Sequence, residues 1–160
     1  MKRSLKKKSI IVAVSGGFDP VHAGHVRLLN NAKKLGDKLV VILNNDNWLL
    51  AKKGFVFMKE LERKEILEGM RAVDKVIITS HQRNPNDMSI VKELKKLKPD
   101  IFANGGDRTK NDANKKSSSL NPEQELCGKL GIKMVFNVGH GGKIQSSSRL
   151  LDKHVKRNSK

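Results

Sequence analysis

Two histidines three residues apart, His22 and His25, stand in the stretch Ser15-Gly-Gly-Phe-Asp-Pro-Val-His-Ala-Gly-His25. Imidazole donates, accepts or carries a proton near neutrality. The spacing lets the first turn of a helix present both rings on one side. Around them Gly16, Gly17 and Gly24 let a ligand approach the backbone closely. An apolar run, Ile10-Ile-Val-Ala-Val14, comes before, and Val26-Arg-Leu-Leu-Asn-Asn-Ala-Lys-Lys-Leu35 comes after. The first reads as a buried strand and the second as an amphipathic helix. A glycine-rich strand-to-helix turn gathers backbone N–H groups at a helix N-terminus, where an anion is favoured. The chemistry this pattern suits is a phosphate gripped by backbone and acted on by imidazole.

The rest of the chain supplies the elements that position this turn. Lys38 to Asn44 reads as a second buried strand, followed by a polar, irregular segment, Asn45 to Gly54, that carries Lys52 and Lys53. Met58 to Met70 reads as a helix holding Arg63, and Val76 to Thr79 as a third strand. After a loop at His81–Asp87, the apolar spacing of Ile90, Val91, Leu94 and Leu97 marks a helix that Pro99 closes. Ile101 to Ala103 is a fourth strand, ending at Asn104-Gly-Gly-Asp107. Residues 108–122, rich in Lys, Asn and Ser, read as an exposed insertion loop. A helix then runs to Gly131, and Met134 to Phe136 is a fifth strand. A second glycine-rich turn, Gly139-His-Gly-Gly-Lys143, precedes Ser146-Ser-Ser148, which opens a last helix with Leu150, Leu151 and Val155. Strands alternating with helices predict one α/β domain, Rossmann-like, with a five-stranded parallel sheet and helices on both faces. Its limits are residues 9–155, between a basic N-terminal arm at 1–8 and a basic tail at 156–160. In such sheets ligands bind beyond the C-terminal strand ends. The polar clusters after the first, second, fourth and fifth strands all fall there.

Composition narrows the partners. The chain has 160 residues, 37% of them apolar, enough for one core. No apolar run approaches the roughly 18 residues of a membrane span. Met1 to Lys8 is basic, but the apolar segment after it is short and runs into Gly16-Gly17, so it reads as an arm and not a targeting signal. A lone Cys127 excludes an intrachain disulfide and fits a reducing, cytoplasmic setting. The net charge of +17 favours anionic partners, phosphorylated small molecules or nucleic acid. With no Tyr, one Trp and five Phe there are few stacking platforms, so nucleic acid is the less favoured of the two. The P-loop pattern is absent, since Gly142-Lys143 is followed by Ile144. No Gly-x-Gly-x-x-Gly follows the first strand either.

Gly16-Gly-Phe-Asp-Pro-Val-His-Ala-Gly-His25 resembles the signature of the HxGH nucleotidyltransferase superfamily. Leu29 to Val41 is similar to its cytidylyltransferase-like branch, which includes glycerol-3-phosphate cytidylyltransferases and heptose 1-phosphate adenylyltransferases. Further similarity lies in Lys52-Lys-Gly54, Glu62-Arg63, Met70-Arg-Ala-Val-Asp74, Asn104-Gly-Gly-Asp107 and Ser146-Ser-Ser148. The resemblance implies that a phosphate oxygen of an acceptor attacks the α-phosphate of CTP or ATP and releases pyrophosphate. The acceptor it implies is a sugar or polyol phosphate of the glycerol-3-phosphate or sugar 1-phosphate type. His22 and His25 would then be catalytic, with Lys52 or Lys53 swinging in from a loop. Gly16, Gly17, Phe18, Gly24, Gly105 and Asp107 would line the nucleotide, and Ser146, Ser147 and Ser148 would hold its outer phosphates. Plain N-capping by one serine is the alternative. Asp19, Arg63 and Arg71 would bind substrate, although Arg63 could equally be an exposed helix charge. Mg²⁺ is implied with the triphosphate, and a homodimer is implied by relatives. Two signals conflict: Arg71 fits the glycerol-phosphate enzymes, whereas Asn104-Gly-Gly-Asp-Arg108 looks more like the heptose enzymes. Gly17 stands where many relatives carry Thr, Ser or Cys.

Overall fold

A computed structural model describes residues 8–106, 111, 118–139 and 145–158, with side chains to residue 155. Five parallel strands form one sheet: β1 (Ile11–Gly16), β2 (Lys38–Leu43), β3 (Lys75–Ile78), β4 (Ile101–Gly105) and β5 (Lys133–Val138). Their order is β3-β2-β1-β4-β5. The chain leaves β1 to build one side of the sheet and crosses back to build the other. The reversal falls between β1 and β4, where such sheets open a crevice at the C-terminal edge.

The strands are short runs of β-branched and aliphatic residues, as buried parallel strands must be. Their side chains alternate between two cores. Val12 and Val14 join Leu39, Val41, Leu43 and Val76 beneath α1 (Ala23–Lys33), which supplies Leu29 and Ala32, and α3 (Glu60–Glu68), which supplies Leu67. Ala13, Ile42 and Phe102 face the other way, onto Ile90 and Leu94 of α4 (Val91–Leu97) and its lead-in and Cys127 of α5 (Asn121–Leu130). Helices on both faces of a parallel sheet are what the strand–helix alternation predicts. The last described helix, α6 (Ser147–Asn158), begins at the C-terminal edge of the sheet after β5.

Two readings of the sequence need correction. The polar segment after β2 is not irregular: it is a helix, α2 (Asp46–Lys53). Asn45 caps it through an Oδ1 that accepts from Trp48 N at 3.0 Å, and Gly54 ends it in the left-handed region at φ 82°. The expected exposed loop at 108–122 is also partly wrong. Leu120 is buried, and Asn121 and Pro122 already belong to α5. Residues 1–7, 107–110, 112–117, 140–144 and 159–160, and with them Asp107, most of the basic arm and the turn at His140–Lys143, lie outside the described residues.

Phe102 fills the second core with no exposed surface. Phe102→Ala is expected to cost about 3–5 kcal/mol, read from the denaturation midpoint. Leu61→Ala, at a side chain 69% exposed, should stay within about 0.5 kcal/mol.

Candidate active site

The turn after β1 is fixed before any ligand arrives. Asp19 has no exposed surface, and its carboxylate accepts from Phe57 N at 2.8 Å and Met58 N at 2.6 Å. That ties the turn to the segment between α2 and α3. Asp19–Pro20 is a cis peptide, and Phe18 sits at φ 50° with its ring buried. Pro20 O accepts from Ser147 Oγ at 2.9 Å, which brings the start of α6 to the same place.

His22 is the N-cap of α1, and its Nδ1 accepts from Gly24 N at 3.1 Å. His25 Nδ1 accepts from His22 N at 3.2 Å. With both Nδ1 atoms accepting backbone N–H bonds, each neutral ring carries its proton on Nε2. The rings stack at 3.7 Å between centroids and 24° between planes. Gly24 is required here, since a Cβ would sit 2.9 Å from His22 Cε1. Phe18 backs His25 at 4.7 Å. Burial, then His22, then Lys53 push the His25 pKa down to about 3. His22 is lowered as well, by burial and then by Lys53. Near neutrality the pair is therefore two uncharged N–H donors.

Arg63 does not face a ligand, contrary to the expectation that it binds an acceptor phosphate. It has no exposed surface. Its Nη1 donates to Gly17 O and Asn44 O, each at 2.7 Å, its Nε to Met58 O at 2.8 Å and its Nη2 to Asp46 Oδ1 at 2.8 Å. Every arm of the guanidinium is thus spent on the framework beneath the turn. Asp19 is corrected for the same reason, both of its oxygens being taken by backbone. Arg71 is exposed in the turn that leads into β3, at the N-terminal edge of the sheet and opposite the crevice.

A cleft of about 950 Å³ opens at the C-terminal strand ends. Gly16, Gly17, Phe18, His22, Gly24 and His25 line it from the first turn, and Gly105 from the end of β4. Gly17 has no side chain to offer, and the space beside it is taken by Leu49, whose Cδ2 would stand 2.8 Å from an added Cβ. Lys52 and Lys53 both line the cleft, but Lys52 is exposed while Lys53 turns inward, its Nζ donating to Asp19 O at 3.4 Å. Burial lowers the Lys53 pKa, the Asp19 carboxylate opposes that and the Arg63 guanidinium adds to it. The three serines line the cleft as well. Ser146 Oγ accepts from Arg149 N at 3.2 Å, the capping role, while Ser147 is tied to Pro20 and Ser148 is exposed.

Part of the cleft was not read from the sequence. Met88, Ser89 and Ile90, beyond the third strand, form a wall with Trp48, Leu120 and Glu123. Trp48 Nε1 donates to Met88 O at 2.9 Å, His81 Nε2 to Ser89 O at 3.0 Å and Ile90 N to Glu123 Oε1 at 3.0 Å. Those bonds make a fixed surface from what looks like a connecting loop. Its position after a strand's C-terminal end is the one sequence signal that could have found it. Among the described residues no group of three His, Cys, Asp or Glu could hold a metal.

The family described as cytidylyltransferase-like matches residues 13–148. The FAD synthase of Thermococcus sibiricus (strain DSM 12597 / MM 739) is 41% identical over 104 residues, 64% of this chain and 67% of that protein. The bifunctional protein HldE of Hahella chejuensis (strain KCTC 2396) is 43% identical over 102 residues, 62% of this chain and 20% of that protein. Matches to several archaeal FAD synthases span between 58% and 67% of those proteins. The crystal structure of the lipopolysaccharide core biosynthesis protein from Thermoplasma volcanium GSS1 superposes with a TM-score of 0.66 at 28% identity, covering 84% of this chain and all of that one. Pantoate-beta-alanine ligase from Francisella tularensis, at a TM-score of 0.59 and 16% identity, shares the fold.

Two measurements check the geometry. Arg63→Met should lose about 3–5 kcal/mol of stability, because it strands Asp46 and three carbonyls. An acceptor-binding arginine would instead leave stability intact and raise KM. His25 has a folded pKa below its unfolded value, so its contribution to stability is full above pH 6.5 and is lost as pH falls toward about 3. Scanning calorimetry from pH 7 to pH 5 should show wild type losing about 2 kcal/mol more than His25→Gln. Parallel pH profiles would contradict the buried neutral imidazole.

Proposed function

The chain belongs to the cytidylyltransferase-like family, and from that premise we propose that it transfers a nucleoside monophosphate from a triphosphate to the phosphate of an acceptor, releasing pyrophosphate. We infer further that ATP is the donor and flavin mononucleotide the acceptor. The observation that carries the transfer is the stacked pair of neutral imidazoles, each protonated on Nε2 and lining the cleft, at a helix N-terminus beside Lys53.

An oxygen of the acceptor phosphate attacks the α-phosphorus. The bond from that phosphorus to the bridging oxygen breaks, and the electron pair leaves with pyrophosphate. Negative charge grows on the non-bridging oxygens as phosphorus becomes five-coordinate. Two N–H donors, the backbone N–H groups of the turn and the Lys53 ammonium stabilise it. No general base is needed, because a phosphate monoester has lost its second proton above about pH 6. That fits histidines whose Nδ1 atoms are already committed to backbone. The N-terminus of α6, with Ser146, Ser147 and Ser148, suits the β- and γ-phosphates. Mg²⁺, entering with the triphosphate, would draw its ligands from phosphate oxygens and neutralise part of their charge.

Trp48, Met88, Ile90 and Leu120 give one wall of the cleft an apolar stretch, which supports an acceptor with a flat aromatic ring system. The FAD synthases among the similar proteins point the same way. A sugar phosphate, in line with the HldE similarity, is the second reading.

Product formation should be measured with ATP, CTP and GTP against flavin mononucleotide, heptose 1-phosphate and glycerol 3-phosphate. ATP with flavin mononucleotide should be fastest, yielding FAD and pyrophosphate. A faster sugar phosphate would remove the flavin assignment, and no pyrophosphate from any pair would remove the transfer itself. His22→Ala, His25→Ala and Lys53→Ala should each lower kcat by about 10²-fold or more, whereas Lys52→Ala should stay within about threefold.

A further inference from the structure

Each strand of the sheet starts from a lysine or has one just before it. Lys38, Lys75 and Lys133 are the first residues of β2, β3 and β5. Lys8 precedes β1, and Lys98 ends the helix before β4 in the left-handed region at φ 48°. The register sets Lys38 beside Ile11, Lys75 beside Val40 and Lys133 beside Ile101. These cations therefore lie along the N-terminal edge of the sheet, Lys38 and Lys75 on one face of the strands and Lys133 on the other, with Arg71 in the turn before β3. All six are exposed. This edge is the end of the sheet farthest from the cleft.

Three carboxylates of the same edge bond to backbone N–H groups. Asp37 accepts from Ile10 N at 2.7 Å, Asp74 from Leu39 N at 2.6 Å and Asp100 from Ile11 N at 2.9 Å. They serve as caps for the strand starts, with Asp37 and Asp74 still exposed, so six cations face three carboxylates along this edge. Asp100 also holds Lys8, and Asp74 holds Lys33. Lys38, Lys75, Lys98 and Lys133 have no ion-pair partner among the described residues. The last turns of α1, α4 and α5 are basic as well, which their helix dipoles alone would favour. The lysines that start strands have no such reason to be there.

We infer that this edge is a docking surface for the phosphate backbone of a double-stranded nucleic acid, separate from the cleft. Four strand spacings of about 4.8 Å make the edge about 19 Å long. A duplex presents one charge per ~1.7 Å of its axis, so such an edge faces a dense line of phosphates. No aromatic side chain stands at these strand starts, so stacking on single strands has no platform here and the contact is to backbone rather than to bases. Among the described residues, Ile10 and Leu130 are large apolar side chains exposed near this edge, at 37% and 41%. That is too little apolar surface to enter a bilayer, which disfavours a membrane.

The test is a titration of the whole chain with a mixed-sequence 20-base-pair DNA duplex over a salt series, without triphosphate. About five phosphate contacts predict a log K against log salt slope of about −4 to −5. The combined variant Lys38→Glu, Lys75→Glu, Lys133→Glu should shrink that slope by about 3 and weaken binding at least tenfold, with its circular dichroism unchanged. Millimolar ATP should not displace the duplex. An unchanged slope in the variant overturns the inference, as does displacement by ATP, which would place the duplex in the cleft. Binding of the same lysines to phosphatidylserine vesicles without binding to duplex overturns it in favour of a membrane. None of these outcomes depends on the transfer reaction, so the two proposals fail separately.

Discussion

The Arg63 guanidinium is the interaction on which the site rests. It is a full charge with no exposed surface, and it is tolerable there because four donor contacts satisfy it. Three go to carbonyls, of Gly17, Asn44 and Met58, and one goes to the Asp46 carboxylate. Gly17 and Asn44 directly follow β1 and β2, Asp46 opens α2 and Met58 precedes α3. One side chain therefore fixes the relative places of two strand exits and two helix starts. A lysine could not do this, because a single ammonium lacks the planar fork that reaches two carbonyls and a carboxylate at once. Asp19 completes the frame from the other side through the Phe57 and Met58 amides. Lys53 reaches the cleft because the last turn of α2 is held within this frame.

The charge state of the cleft follows from the same packing. In a chain of net charge +17, two imidazolium ions beside an ammonium would repel one another. Burial first, then His22 acting on His25 and Lys53 acting on both, keep the histidines neutral; burial, with the Arg63 guanidinium, lowers the Lys53 pKa against the pull of Asp19. The site thus holds two neutral N–H donors beside the Lys53 ammonium. A triphosphate supplies the negative charge against which those groups gain their value.

How much of this was legible in the sequence depends on how local the cause is. The strands could be read because β-branched runs between turn residues need no distant information. The histidine turn could be read because glycine spacing and a following helix are adjacent in the chain. Helix α2 has local signals, an Asn45 cap, Asp46 in the first turn, lysines in the last and Gly54 after them, but it is only eight residues long and polar at both ends, so the same signals also describe a loop. Arg63 and Asp19 were misread for a different reason. Their partners are backbone atoms 46 and 38 residues away, and no side-chain pattern announces a carbonyl or an amide. The Met88–Ile90 wall was missed because its shape comes from bonds to Trp48, His81 and Glu123 that only the fold brings together. Leu120 was missed because one apolar residue ends a long polar run. Of the two candidate lysines, the sequence offered no choice; the frame around Asp19 turns Lys53 inward.

The account stands on transfer of the α-phosphorus. Its most direct measurement follows ATP labelled with ³²P at the α position, and separately at the γ position, through the reaction with flavin mononucleotide. The predicted result is that the α label is recovered in the organic product and the γ label in pyrophosphate. Recovery of the γ label on the acceptor, or as free orthophosphate, would mean that the cleft cuts the triphosphate at the other end, and would contradict the assignment of His22, His25 and Lys53 to the α-phosphate.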